Sequence, residues 1–239
     1  MSALGMVSTV AKRSLDKAAA DALREAIVSG QVRPGARLTE VELATQFDLS
    51  RGTIRAALQR LMAEGLIVQR PYAGWEVASL TSHDAWELYT LRASLEGLAA
   101  RLAAQHADRH SRMEAAFEAL KSAVNSGSGR DINEADLALH KAMVSLAGHR
   151  RLAGQYDLVE QQVRMYMASS NAILPERGMV IANHAPLVAA VTDGDPDVAE
   201  QFARIHSTSS GEILVRHLRE QEEALAEEGT ETALRRGSD

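Results

Sequence analysis

The stretch that decides the fold of the first part of the chain is Ser50-Arg51-Gly52-Thr53-Ile54-Arg55-Ala56-Ala57-Leu58-Gln59-Arg60-Leu61. Its apolar residues recur at helical spacing and form one face, which consists of Ile54, Ala57, Leu58 and Leu61. Arg51, Arg55 and Gln59 are four residues apart and form a polar stripe beside that face. Ser50 can cap this helix and Gly65 can end it. Such a helix fits a major groove, because one face packs in a core while the other reaches DNA.

The elements around this helix complete a winged helix-turn-helix. A helix is predicted over residues 15–29, and Thr39 can cap a short helix over residues 40–47. Two short extended runs around a Pro/Gly turn predict a hairpin over residues 66–77. Taken alone, the Arg51 helix is equally consistent with an ordinary amphipathic helix whose arginines are solvated. The combination with the preceding helix, the tight turn and the hairpin favours DNA binding.

The charge of the chain is unevenly distributed. Its 239 residues hold 26 Lys+Arg and 32 Asp+Glu, and the net charge of −6 taken whole argues against a nucleic-acid binder. Residues 1–78 hold 10 basic and 8 acidic residues, whereas residues 79–239 hold 16 and 24, so the net charges are +2 and −8. This step predicts two domains with different partners. The predicted segments are a flexible tail (1–14), a DNA-binding domain (15–78), a linker (79–82), a helical domain (83–221) and a disordered tail (222–239).

The composition excludes several classes of protein. Cysteine is absent, which rules out disulfides and thiolate metal sites such as zinc fingers, but not a site built from histidine and carboxylate. Aromatic residues make up 4%, so a core built mainly from Ala, Leu, Val and Met favours helices over sheet. No run approaches the roughly 20 apolar residues of a membrane span, and the start lacks the apolar segment of a signal peptide. We expect a cytoplasmic protein with no membrane partner.

Four polar residues depart from the pattern expected of a helical domain. Asp136 and His140 are four apart on a predicted helix over residues 131–147, and His184 and His206 share the apolar faces of the last two helices. A buried carboxylate must be paired, protonated or metal-bound, because an unpartnered one costs several kcal/mol. One aspartate and three histidines suit a divalent metal such as zinc, nickel or manganese. The alternative is a set of satisfied core residues.

His106 and His110 form a competing set, also four apart, with Asp108 between them. Their surroundings are polar throughout and are predicted to contain the break between two helices. Their spacing then does not place them on one face, so a solvated connector is the better interpretation. The remaining histidines, which lie in polar surroundings, are His83, His149 and His217.

A longer set of residues in the first domain carries a family resemblance. It comprises Pro34-Gly35-Ala36-Arg37-Leu38-Thr39-Glu40, Glu42-Leu43-Ala44, residues 49–58, Leu61 and Glu64-Gly65-Leu66. These residues resemble the DNA-binding domain of GntR-type bacterial transcription regulators. The resemblance implies that Arg51 and Arg55 contact DNA and that the turn at Gly74 is the tip of the wing. The candidate DNA-binding residues are therefore Ser50, Arg51, Gly52, Thr53, Arg55, Gln59 and Gly74.

The second domain carries a related resemblance. The stretches Leu91-Arg92-Ala93-Ser94-Leu95-Glu96, Asp136-Leu137-Ala138-Leu139-His140 and His184-Ala185-Pro186-Leu187, together with His206, look like the ligand-sensing FCD domain of the FadR-like subfamily. The resemblance implies that Asp136, His140, His184 and His206 hold a metal at the floor of an effector cavity. Zinc is the first choice, with nickel or manganese as alternatives. Small carboxylates bind that metal in many such regulators.

Further residues are candidates for effector binding. Arg92 matches the family's helix arginine that can face the cavity and anchor a carboxylate; its alternative is an ion pair with Glu96. The candidates upstream of His184 are Ser170, Asn171 and Arg177. Asn183 as an N-cap would place Pro186 in the first turn of its helix, where proline is tolerated.

The sequence therefore predicts a mainly α protein with an N-terminal winged helix-turn-helix and a C-terminal all-α bundle. We expect a homodimeric, metabolite-responsive transcription regulator, a repressor rather than an enzyme, that binds double-stranded operator DNA and a small carboxylate effector. Two alternatives stay open. One is a metal-dependent hydrolase, since Asp and His also hold catalytic zinc. The other is an architectural DNA-binding protein without a ligand.

Overall fold

The computed structural model describes residues 14–70, 74–79, 81–169 and 177–236, which divide into two compact units between Ala78 and Ser79, with residues 28–30 grouped in the second. The first unit contains α1 (Leu15–Val28), β1 (Arg37–Leu38), α2 (Glu40–Phe47), α3 (Arg51–Ala63), β2 (Ile67–Arg70) and β3 (Gly74–Val77). The second contains α4 (Ser82–Ala103), α5 (Arg109–Ser126), α6 (Gly129–Leu146), α7 (Arg150–Ser169), α8 (Arg177–Asp193) and α9 (Pro196–Arg236).

Helices α2 and α3 form the predicted helix-turn-helix. Thr39 caps α2 by accepting a hydrogen bond from the Glu42 backbone N–H at 3.2 Å. Asp48 ends α2 in the left-handed region, with φ 52°, which turns the chain toward α3. Ser50 Oγ accepts a hydrogen bond from the Thr53 backbone N–H at 3.1 Å and caps α3. The predicted apolar face is buried, namely Ile54, Ala57, Leu58 and Leu61.

A small antiparallel sheet completes the winged helix-turn-helix, in the order β1-β3-β2. The predicted hairpin is present, with Arg70 opposite Gly74, and β1 pairs with the other edge of β3, with Leu38 opposite Trp75. The sequence did not predict β1, because a strand of two residues carries no alternating pattern. The turn of the hairpin, residues 71–73, lies outside the described chain.

The second unit is a helical bundle whose first and last helices lie side by side. Helix α4 makes its most extensive contact with α9. Gly211 permits this approach, because a Cβ at that position would lie 2.5 Å from the Cβ of Tyr89. The main apolar core joins α4, α5, α6, α8 and α9, and a second cluster joins α4, α6, α7 and α9.

Two of the predicted helix starts in this unit are present. The Thr81 side chain and the Asp84 side chain form a capping box at the start of α4. Helix α9 begins at Pro196, and Asp195 Oδ1 accepts a hydrogen bond from the backbone N–H of Val198 at 3.2 Å. No described helix combines the length and the apolar composition needed to cross a bilayer.

Helix α8 begins earlier than the sequence predicts. It starts at Arg177 rather than near residue 184, so Pro186 lies inside the helix and Asn183 is not its N-cap. Because proline has no backbone N–H, Pro186 cannot donate to the Ala182 carbonyl one turn before it. Burial of Val180 in the main core favours the helical turns that precede the proline.

Helix α9 ends later than the sequence predicts. It continues through residues 222–236, where a disordered tail is predicted. The Ala, Leu and Glu residues of this segment are among the strongest helix formers. Glu222 also accepts two hydrogen bonds from Ser82 at the start of α4, one from the backbone N–H at 2.7 Å and one from Oγ at 2.8 Å.

Candidate functional site

Three histidines from three helices meet inside the helical unit. One ring nitrogen each of His140 on α6, His184 on α8 and His206 on α9 lies within 4.8 Å of the others. Asp136, one turn before His140, joins them: Oδ2 lies 3.1 Å from His184 Nε2 and Oδ1 lies 3.7 Å from His140 Nε2. The structure thus brings together the four residues that the sequence proposes as metal ligands.

The second ring nitrogen of each histidine faces an oxygen. His184 Nδ1 lies 2.7 Å from the Val180 carbonyl, and His206 Nδ1 lies 3.2 Å from the Asn183 carbonyl. His140 Nδ1 lies 3.1 Å from Oε2 of Glu96. Since each partner is an acceptor, Nδ1 carries the proton and Nε2 of a neutral ring keeps its lone pair. Metal-binding histidines typically have this arrangement.

The surroundings of the Nε2 atoms of His140 and His184 show whether a metal ion fits this cluster. Both are buried and make no well-directed hydrogen bond within the described chain, and the Asp136 carboxylate is the oxygen group that faces them. Ligands about 2.0 to 2.2 Å from one ion lie roughly 3 to 3.5 Å apart, which the 3.1 Å between His184 Nε2 and Asp136 Oδ2 matches. The donor set of one carboxylate and three imidazoles therefore fits a divalent ion.

The members of the cluster shift one another's pKa values. Burial and the neighbouring His140 and His184 lower the pKa of His206 to about 3, so this imidazole is neutral near pH 7. Burial raises the pKa of Asp136, but the charge and hydrogen bonding of His184 and the charge of His140 outweigh it, and the net shift is downward. Burial lowers the pKa of His184, but the same pairing with Asp136 outweighs it, and the net shift is upward. Asp136 is therefore a carboxylate that a cation would stabilise.

Glu96, which the sequence offers only as a partner of Arg92, is the centre of a buried network. It is fully buried and accepts hydrogen bonds from Arg92 Nε at 2.7 Å, Tyr156 Oη at 2.8 Å and Ser207 Oγ at 2.6 Å. Burial opposes its charge, but Arg92 and His140 hold the pKa of Glu96 well below its usual range. One carboxylate thus connects α4, α6, α7 and α9.

A cavity of about 130 Å³ lies against the cluster. Asp136, His184 and His206 contribute to its wall, and so does Arg92. Arg92 is 3% exposed, and its Nη2 has no hydrogen-bond partner among the described residues. The predicted ion pair with Glu96 is therefore present through Nε, and Nη2 lies beside the cavity that Arg92 lines. The other polar residues of the lining are Tyr89, Asn133, Tyr166, Asn183 and Ser210.

The other predicted effector residues are placed differently. Arg177 is not part of the lining given by the described chain; its guanidinium donates to the carbonyls of Val124 at 2.8 Å and Gly127 at 3.0 Å, at the end of α5. This contact corrects its predicted position in the cavity wall. Ser170 and Asn171 lie outside the described residues.

The competing histidine pair does not form a second site. Helix α4 ends at Ala103 and α5 begins at Arg109, so His106 lies in the predicted break and His110 lies in the first turn of α5. His106 Nδ1 accepts a hydrogen bond from the Asp108 backbone N–H at 3.1 Å, which is a local turn contact.

The candidate DNA-binding residues lie at the start of α3 and on the hairpin. The side chains of Arg51 and Arg55 are 65% and 55% exposed, and Gln59 is exposed one turn further on. Ser50 and Gly52 are exposed beside them, Thr53 is half-buried, and Gly74 begins β3 with φ 88°. Both arginines face the carboxylate of Glu40, a residue that the sequence analysis did not single out.

Two family descriptions match the chain: bacterial regulatory proteins of the gntR family over residues 15–77, and the FCD domain over residues 87–209. The chain belongs to the GntR family of transcription regulators. It therefore combines a GntR DNA-binding domain with an FCD domain and regulates transcription by binding DNA. The alternative of a metal-dependent hydrolase is wrong, because the relatives of this GntR protein are regulators and not enzymes.

Individual relatives agree with the family. A probable D-xylose utilization operon transcriptional repressor from Paenarthrobacter nicotinovorans is 30% identical over 181 residues, which cover 75% of this chain and 80% of that protein. A gluconate operon transcriptional repressor from Bacillus licheniformis is 25% identical over 183 residues, covering 74% and 75%. The solved structure of E. coli McbR/YncC has the same fold, with a TM-score of 0.70, 20% identity and coverage of 86% and 99%.

Proposed function

We propose that this GntR protein is a homodimeric repressor whose FCD domain binds a divalent metal and a small organic acid that modulates operator binding. The observation that carries the proposal is the convergence of Asp136 with the Nε2 atoms of His140 and His184 beside a cavity that Arg92 also lines. His206 completes the set. Zinc is the first choice for the metal, followed by nickel or manganese.

The metal would be held by Asp136, His140, His184 and His206. When bound, it supplies a Lewis-acidic point at the cavity wall to which a carboxylate oxygen can bind. Glu96 and the two backbone carbonyls fix the ring orientation of the histidines from behind. This support holds the Nε2 atoms toward Asp136 before any ligand arrives.

An organic acid is the effector class that this cavity favours. Arg92 presents a buried guanidinium nitrogen that has no hydrogen-bond partner in the described part of the chain, and a carboxylate is the group that satisfies a guanidinium best. Tyr89, Asn133 and Asn183 add hydrogen-bonding groups for hydroxyl or carbonyl substituents. The name of one relative refers to the gluconate operon, and gluconate is a hydroxylated carboxylate of this kind.

The regulatory output follows from DNA binding by α3. Two copies of the chain would place two such helices on the half-sites of a pseudo-palindromic operator. Repression, rather than activation, is supported by relatives that are named repressors. An effector can weaken operator binding only through different affinities for the DNA-binding and non-binding arrangements. We propose that the two arrangements differ in the Glu96 network, which contacts both Arg92 and His140. Residues 79–82 would transmit this change to the DNA-binding domain.

Metal analysis tests the metal site. Protein loaded with zinc and dialysed should retain stoichiometric metal, and His140→Ala should lose it, because His140 is one of the four ligands. His110→Ala is the matched control, since His110 is exposed and lies in the first turn of α5. Equal metal contents in wild type and His140→Ala would overturn the site.

Titration of the protein–operator complex tests the effector. Gluconate and other organic acids, added one at a time to a metal-loaded complex, should include at least one that weakens binding. Arg92→Lys should reduce its effect. If a broad set of organic acids leaves the complex unchanged, the architectural DNA-binding alternative gains and the effector proposal fails.

A further inference from the structure

Glu40, the first residue of α2, is held in a bidentate contact with Arg55. Its Oε1 accepts a hydrogen bond from Arg55 Nε at 2.8 Å, and its Oε2 accepts one from Arg55 Nη2 at 2.7 Å. The Arg51 Nη2 atom lies 3.7 Å from the same Oε2. The Glu40 side chain is only 15% exposed, whereas that of Arg55 is 55% exposed. The Glu40 carboxylate is thus largely buried in the domain, whereas the Arg55 guanidinium extends toward solvent.

The contact uses one edge of the guanidinium, and no hydrogen bond within the described residues uses the other. A guanidinium offers two pairs of parallel N–H donors, one from Nε with one Nη and one from the two Nη atoms. Glu40 takes the first pair, so the pair that includes Nη1 of Arg55 remains available for an acceptor. Because an exposed arginine side chain loses rotamer entropy when it is fixed, holding Arg55 in one orientation before binding lowers the entropic cost of a specific contact.

Glu40 is itself held from the wing. The buried Trp75 side chain on β3, which is 4% exposed, helps to stabilise the Glu40 carboxylate and to lower its pKa. The hydrogen bond from Arg55, opposed by burial and helped by Trp75, lowers the pKa of Glu40, so the group is a carboxylate near pH 7. One side chain therefore connects α2, α3 and β3, and its position does not depend on Arg55 alone.

The sign of the charge separates two uses of Arg55. A carboxylate beside an arginine that only attracts phosphate would weaken that attraction, since it cancels the positive charge. An arginine that contacts guanine needs a fixed direction for its two donors, because O6 and N7 are read by a bidentate pair. A buttressing carboxylate is useful for the second task and harmful for the first.

We propose that Glu40 is a positioning residue for base recognition, which orients the free edge of Arg55 and thereby sets operator specificity. The inference rests on the proposed role of Arg55 at the DNA surface. It predicts that Glu40 contributes to the difference between operator and unrelated DNA, and not to the general attraction for DNA.

The test compares two DNA molecules and four variants. A preferred site is selected from random double-stranded DNA with the wild-type full chain, and dissociation constants are measured for that site and for an unrelated sequence of equal length. Glu40→Gln should weaken binding to the selected site about tenfold or more, as expected for a misplaced bidentate contact. Binding to unrelated DNA should stay equal or become tighter, because a negative charge is removed.

Two further variants separate positioning from charge. Glu40→Asp keeps the charge but shortens the side chain, so it should lose specificity as Glu40→Gln does. Glu42→Gln removes the same charge in the same turn of α2 from a residue that contacts Thr39 instead, and it should preserve the ratio between the two DNA molecules.

Three results would overturn the inference. The first is a Glu40→Gln variant that changes both dissociation constants by the same factor. The second is a Glu40→Asp variant with wild-type specificity. The third is a loss of binding to both DNA molecules together with a lower melting temperature, which would show a purely structural role. Arg55→Ala separates failure of the proposed DNA contact from failure of the positioning role of Glu40. Unchanged affinity of this variant for the selected site would refute the role of Arg55 itself.

Discussion

At the residue scale, the acceptor that faces one ring nitrogen of a clustered histidine determines which nitrogen is left for a ligand. A neutral imidazole has one donor and one acceptor nitrogen. The Val180 carbonyl fixes the donor of His184, and the Asn183 carbonyl faces the corresponding nitrogen of His206. Since the pKa of His206 is about 3, a proton does not compete for its free nitrogen near pH 7. The Nε2 atom of His206 is therefore free of a proton, as the proposed metal site requires.

Glu96 gives the clearest prediction for a single residue. Glu96→Gln should destabilise the helical domain by about 3 to 5 kcal/mol, because it leaves the buried Arg92 guanidinium without its counter-charge. Thermal unfolding followed by circular dichroism would measure the change. Glu118→Gln is the control, since Glu118 pairs with Lys121 at the surface and should change the melting temperature little. Equal shifts for both variants would contradict the importance of burial.

At the scale of the elements, the contact between α4 and α9 depends on a missing side chain. Gly211→Ala should destabilise the domain by about 1 to 3 kcal/mol, because the new Cβ would lie 2.5 Å from Tyr89 Cβ and force the helices apart. Gly154→Ala in α7 is the opposite case, since nothing lies within 4 Å of its Cβ position. It should stabilise the helix by up to about 1 kcal/mol.

Melting temperatures of the two glycine variants measure this prediction directly. One kcal/mol corresponds to a shift of about 2 to 4 °C for a chain of this size. The expected shifts have opposite signs. A Gly211→Ala variant that melts at or above the wild-type temperature would show that α4 and α9 do not approach each other this closely.

Elements whose pattern is local were predictable from the sequence. Helix α3 was found because Ile54, Ala57, Leu58 and Leu61 repeat at helical spacing and no other structure buries all four. The convergence of Asp136 with the histidines was also predictable. Charged and imidazole groups on apolar helix faces need a common partner, and three helices of one bundle can supply it.

Contacts between distant parts of the chain were not predictable. Arg177 donates to the carbonyl of Val124, 53 residues away, and Ser82 donates to Glu222, 140 residues away. Neither contact leaves a periodic signal in the sequence. The same holds for Glu40 and Arg55, which are 15 residues apart on different helices. The start of α8 was missed because Pro186 indicates a helix start locally, whereas core packing of Val180 extends the helix.

At the scale of the whole molecule, the charge of −6 is unevenly divided, with +2 in residues 1–78 and −8 in residues 79–239. The positive excess comes from Lys12 and Arg13, because residues 15–77, which match the GntR family, hold eight basic and eight acidic residues; within that region Arg51 and Arg55 are exposed beside each other on α3. The acidic excess lies in the part of the chain that includes the FCD domain. The local arrangement of charge, such as the exposed pair Arg51 and Arg55, therefore indicates the partner better than net charge does.

Metal removal should affect the two domains differently. A chelator should lower the melting temperature of the FCD domain, because a ligand that binds only the folded state stabilises it, by about 2.7 kcal/mol at 100 times its dissociation constant. Hydrogen exchange would locate the change: protection should fall in α6, α8 and α9 and stay constant in α2 and α3. Adding zinc back should restore it, and a chelator that leaves exchange unchanged would argue against a resident metal.

The side-by-side packing of α4 and α9 has a consequence for how the protein is made. The ribosome synthesises α4 well before α9. The first helix of the second unit can therefore pack against its largest neighbour only after the chain has been made beyond Pro196. The GntR region has all its strands and helices within residues 15–77 and can close while synthesis continues. A nascent chain thus acquires the part that binds DNA before the part that would control it.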